Sequence, residues 1–133
     1  MTRPSGPSLR VRGAVIFALV LADILLGNHL AEAGSPYPLG YLAAHIGVTV
    51  AVLAFSGHAV LASRRSVGWA PSASALLTLL ASLGATFAGA AFLLEAGARG
   101  PLLGMEGFGV LAFLGTIMLI VFGGGKDRSR IPI

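Results

Sequence analysis

The chain has no cysteine, and only 11% of its 133 residues are charged, against roughly 25% in soluble domains. The first absence excludes disulfides, thiolate metal centres, thiolate-ligated haem and covalent C-x-x-C-H haem attachment. The second makes an integral membrane protein the expected class. Acidic groups are the scarcest charges, five against nine Lys and Arg, for a net charge of +4. In a soluble protein that excess would suggest nucleic acid. Here the basic residues flank apolar runs and form no patch with interleaved aromatics, so the expected partner is the lipid bilayer and not nucleic acid.

Hydrophobic residues make up 56% of the chain. They gather in four runs, Gly13 to Ala33, Gly40 to Ala62, Ser72 to Ala96 and Met105 to Gly124, each near the ~20 residues needed to cross a bilayer as a helix. Turn-forming or charged residues separate them: Gly34-Ser35-Pro36-Tyr37-Pro38, Ser63-Arg64-Arg65-Ser66, and Gly97 to Gly104. Such short connections predict an all-α, up-down-up-down four-helix bundle, a single transmembrane domain over residues 1–133. Ala31-Glu32-Ala33 has the form of a signal-peptidase site, but the first run exceeds the ~7 to 15 residues of a signal peptide core, so a retained helix is expected.

With four spans, Arg3, Arg10, Arg12, Arg64, Arg65, Lys126, Arg128 and Arg130 fall on one side and Arg99 alone on the other. The positive-inside tendency then places both termini in the cytoplasm of a multi-pass cell-membrane protein. Glu32, Glu95 and Glu106 collect at the outer edge.

An ionisable group within a span is costly, so each is a functional candidate expected to face the bundle interior. Asp23, His29, His45 and His58 are those residues. His29, near the end of the first span, and His45, near the start of the second, fall at matching depth on neighbouring helices. On a helical wheel His29 shares a face with Ala18, Ala22, Leu25, Leu26, Glu32 and Ala33, and His45 with Thr49, Val52 and Ser56, bounded by Tyr41. Small and weakly polar neighbours suit an interior with room for a ligand.

Three readings of the histidine pair follow. Two neutral imidazoles can ligate the iron of a b-type haem. Each can instead be an interfacial side chain bonded to water, the loop or a glutamate. Or His29 and His45, with Glu32, Glu95, Glu106 and Met105 approaching from the outer helix ends, can hold non-haem iron, copper or zinc. Glu106, expected in the first turn of the fourth helix, has a helix-dipole role as well; Glu95, near a helix C-terminus, has none. His58 is expected to snorkel towards cytoplasmic headgroups; as a haem ligand it would lack a histidine partner, with Met118 the best substitute. Asp23, near mid-span, is expected to hydrogen-bond as a protonated carboxyl or to relay protons, with Thr49, Ser56, Thr78 and Ser82 at comparable depth. The small-residue steps Gly84-x3-Ala88 and Ala85-x3-Gly89, with Gly107, Gly109 and Gly115 in the fourth run, predict close helix packing and admit a homodimer.

With "GNHLAEAG" and "YLAAHIG" as ligand segments and an acidic residue nearby, the layout resembles one half of haem A synthase and related b-type cytochromes. The resemblance implies a membrane haem b protein with His29 and His45 as axial ligands, serving electron transfer or haem-linked redox chemistry near the outer face. Tyr41 and Glu95 would then tune the haem from its surroundings, and a quinone or another membrane redox protein would be the electron partner. A cofactor-free subunit of a larger membrane complex, or the non-haem metal site, is the alternative.

Overall fold

A run of about twenty or more apolar residues satisfies its own backbone groups most directly as a helix, and the chain does so four times. The computed structural model describes residues 8–66, 68–95 and 99–124. Over these it forms α1 (Leu9–Ala33), α2 (Leu39–Ser63), α3 (Ala70–Leu94) and α4 (Arg99–Phe122). α2, α3 and α4 are long and apolar enough to cross a membrane. α1, with 25 residues, equals α2 and α3 in length.

The ends follow local chemistry. Ser8 caps α1, its hydroxyl accepting a 3.2 Å hydrogen bond from the Val11 N–H. Gly34 ends the helix at φ +72°, where a side chain would be strained, and its N–H donates to the Leu30 carbonyl. Pro71 sits in the first turn of α3, and Pro101 in that of α4, where a missing N–H costs no helical hydrogen bond. Hence α4 begins at Arg99, inside the segment expected to be a loop. Glu106 therefore lies two turns into α4, and the dipole role expected for it does not apply.

Each helix packs on two neighbours, α1 on α2 and α4, α3 on α2 and most extensively on α4. The small residues expected to permit close packing do so between α3 and α4. A methyl group on Gly115 would meet the Thr78 backbone nitrogen at 2.9 Å, and one on Gly84 the Phe108 ring at 2.6 Å. Gly107 faces open space. The core runs through Ile16, Val20, Val52, Ala59, Ala75, Ala81, Ala112 and Leu119, with Phe17 stacked on Phe113 at 4.4 Å between centroids. At one end Arg10 Nε donates to the Ile120 carbonyl at 3.0 Å, placing a cation at the C-terminus of α4.

Candidate functional site

The buried stripe of α1 is Leu9, Gly13, Ile16, Val20, Gly27 and Leu30. Gly27 is 200° around the helix from His29 at ~100° per residue, so the stripe that enters the bundle cannot include that imidazole. His29 is exposed, its ring 4.2 Å from that of Tyr41, also exposed. Ala18, Leu25, Glu32 and Ala33 are exposed on the same side. The face expected to line the interior is thus the outer face. On α2 the expectation holds better: Val52 and Ser56 are buried, and the His45 side chain is only 12% exposed.

His45 meets Asp23, not His29. Its Nδ1 lies 2.7 Å from Asp23 Oδ1, off the direction of a well-aligned hydrogen bond. The Thr49 hydroxyl is 3.0 Å from each Asp23 oxygen and 2.8 Å from the His45 carbonyl. That hydroxyl has one proton. It donates either to the carboxylate or to the carbonyl, and in the second case its lone pairs accept from a protonated Asp23. The hydrogen-bonded Asp23 expected from its mid-span position is present, with Thr49 as partner.

These groups form one wall of a cavity of about 170 Å³ reached by all four helices. The volume is close to the ~150 Å³ of an apolar protein cavity that holds one benzene. Glycine makes the space. A methyl group on Gly27 would touch Met105 Cε at 3.5 Å and His45 Cε1 at 3.7 Å, and one on Gly89 would touch Met105 Sδ at 3.5 Å. Ile24, Ala85, Ala90 and Ala112 supply apolar wall, Ser82 and Thr86 hydroxyls come from α3, and exposed Asn28 and Glu106 stand at the rim.

The remaining candidates lie apart. Glu95 is exposed at the end of α3, where its N–H donates to the Ala91 carbonyl. His58 is exposed, and its Nδ1 accepts from Arg12 Nη1 at 3.4 Å, so its neighbour is α1. Among the described residues no three of His, Asp and Glu gather as a metal would require. Sequence reasoning paired His45 with the wrong residue of α1. Asp23 and Gly27, one turn apart, carried the available signal: a carboxyl and a gap on one face. No family model, curated protein or solved structure matches the chain.

Proposed function

We propose that this chain is an integral-membrane four-helix protein that binds a small lipid-soluble ring carrying hydrogen-bonding carbonyls, of the quinone class, against the His45–Asp23 wall. The observation that carries the reading is the cavity: one aromatic ring in volume, apolar on most sides and edged by a single half-buried imidazole–carboxyl pair. Ligand sites commonly combine such apolar walls with few polar groups that fix orientation. With Asp23 Oδ1 2.7 Å from its Nδ1, His45 would offer Nε2 to the ligand. In this reading the chain holds the ring in the bilayer, where a redox protein of the same membrane exchanges electrons with it.

The membrane placement rests on further contacts. Arg12 beside His58, and Arg10 on the Ile120 carbonyl, bring the start of α1 together with the ends of α2 and α4. Gly27 beside Met105 and Ile24 beside Gly109 run in opposite chain directions along α1 and α4, as Gly84 beside Phe108 and Thr78 beside Gly115 do along α3 and α4. These support an up-down bundle in the cell membrane with Arg10, Arg12, Arg64 and Arg65 on the cytoplasmic side.

Haem b is the second reading, and one observation favours it. His45 and Met105 approach the same point over Gly27 from opposite helices, and histidine with methionine is a known axial pair. A macrocycle would need these side chains to part and the cavity to widen. His29, on the outer face, takes no part in either reading.

Equilibrium binding to the full chain in lipid nanodiscs tests the proposal with a short-tailed 1,4-benzoquinone. Saturable binding that His45→Phe abolishes is the expected result, and absence of saturable binding to the unaltered chain would overturn it. An optical spectrum of the same preparation addresses haem: a Soret band lost in His45→Ala and Met105→Leu, but retained in His29→Ala, would replace the first reading with the second.

A further inference from the structure

One helix face of α3 carries hydroxyl residues four apart: Ser74, Thr78, Ser82 and Thr86. In an apolar helix such a hydroxyl ordinarily bonds back to the carbonyl one turn earlier. Three of the four do: Ser74 to Ala70 at 2.7 Å, Thr78 to Ser74 at 2.9 Å and Thr86 to Ser82 at 2.7 Å. Ser82 does not. It is only 4% exposed, its Oγ has no partner, and it lines the cavity. A buried hydroxyl without a partner is unfavourable, and the usual remedy is used by the residues above and below it.

The position of Ser82 within the cavity gives that hydroxyl a use. Gly89 marks the level of Met105, and Met105 meets His45 over Gly27. Ser82 is seven residues before Gly89 (89 − 82), about two turns or ~10 Å along α3. The cavity therefore has a polar group near each end, His45 and Ser82; between them Asp23 and Thr49 bond to each other and the Thr86 hydroxyl bonds back to the Ser82 carbonyl, which leaves Ser82 Oγ as the hydroxyl on α3 without a partner there. A six-membered ring with carbonyls at opposite ends, flanked by two hydrogen bonds of ~2.8 Å, spans a distance of that order.

We propose that Ser82 is the second anchor of the site, donating a hydrogen bond from Oγ to the distal carbonyl of a 1,4-dicarbonyl ring whose other carbonyl is held by His45. The inference rests on the quinone reading above and sharpens it to rings with two opposed acceptors. Ser56 supplies the internal control. Its hydroxyl is also buried and unpartnered, but it does not line the cavity.

The full chain in nanodiscs is titrated with a short-tailed 1,4-benzoquinone and with a cyclohexenone of matched substitution, which has one carbonyl. Ser82→Ala is expected to weaken the benzoquinone by about 3- to 10-fold, the effect of one hydrogen bond, and to leave the cyclohexenone unchanged. Ser82→Cys, of similar size but a weak donor, should reproduce the loss and guards against misfolding of the alanine variant. Ser56→Ala should change neither ligand. Undiminished benzoquinone binding in both Ser82 variants would overturn the proposal, as would equal weakening of both ligands, which marks a packing role. Failure of the unaltered chain to bind benzoquinone is a different result, and it removes the quinone reading itself.

Discussion

Replacing Asp23 by leucine should cost the bundle almost nothing and cost the site everything. The terms can be set against one another. A charged carboxylate held at mid-helix depth in a bilayer is unfavourable by about 2.5–3.5 kcal/mol, and the Asp23 side chain is still 22% exposed, which puts it at the low end. Against this relief stand the lost contacts to Thr49 and His45. Polar contacts between membrane helices average ~0.6 kcal/mol, with a maximum of ~1.7. Thr49 keeps an acceptor in the His45 carbonyl at 2.8 Å, so no hydroxyl is orphaned. The sum lies within about 1–2 kcal/mol of zero for Asp23→Leu alone. Removing both members, Asp23→Leu with His45→Leu, should be neutral or stabilising by roughly 1–4 kcal/mol, as apolar replacement of buried ion pairs often is. Reversible unfolding in mixed micelles measures both variants, and quinone titration of the same samples should show binding lost. A double variant less stable by 2 kcal/mol or more would refute the reasoning, because it would make the pair a structural element and remove the ground for treating it as a site.

Gly115→Ala should destabilise by about 1–3 kcal/mol, since its methyl group meets the Thr78 backbone at 2.9 Å and neither helix can yield by a side-chain rotation. Gly107→Ala, facing open space, should be neutral or slightly stabilising in the same unfolding assay through helix propensity. Gly34→Ala forces a side chain to φ +72° and should cost about 1–3 kcal/mol, read as a lower thermal midpoint. Arg10→Gln removes the cation at the C-terminus of α4 and should cost about 0.3–1 kcal/mol, diminishing as salt is raised.

The four helices were legible because a cysteine-free, charge-poor chain with four apolar runs has few other ways to satisfy its backbone. Their ends were less so. The start of α4 at Arg99 was hidden by Gly100 and Pro101, residues that mark a turn in general but are harmless in a first helical turn. The depth of the polar residues was also legible: Asp23 with Thr49, and His45 just above them, meet as their distances from the loop require.

The facing of α1 was not legible, and the reason is physical. In water a helix announces its buried face by contrast, apolar inside and polar outside. α1 is apolar nearly all round: Leu21 and Leu25 are exposed at 41% and 60% while Ile16 and Leu30 are buried. A helix whose outer surface is nearly as apolar as its inner one offers no such contrast, so small residues beside His29 said nothing about where it points. What distinguishes the inner face is shape. Gly13 lies so close to Ile120 that a methyl group would come within 3.0 Å of it, and Gly27 faces Met105 and His45, which a methyl group would just touch at 3.5 and 3.7 Å. In such a chain Asp23, one turn from a glycine that lies against Met105 and His45, identifies the site better than two histidines at equal depth, because the contacts of Gly27 mark the inner face and depth does not.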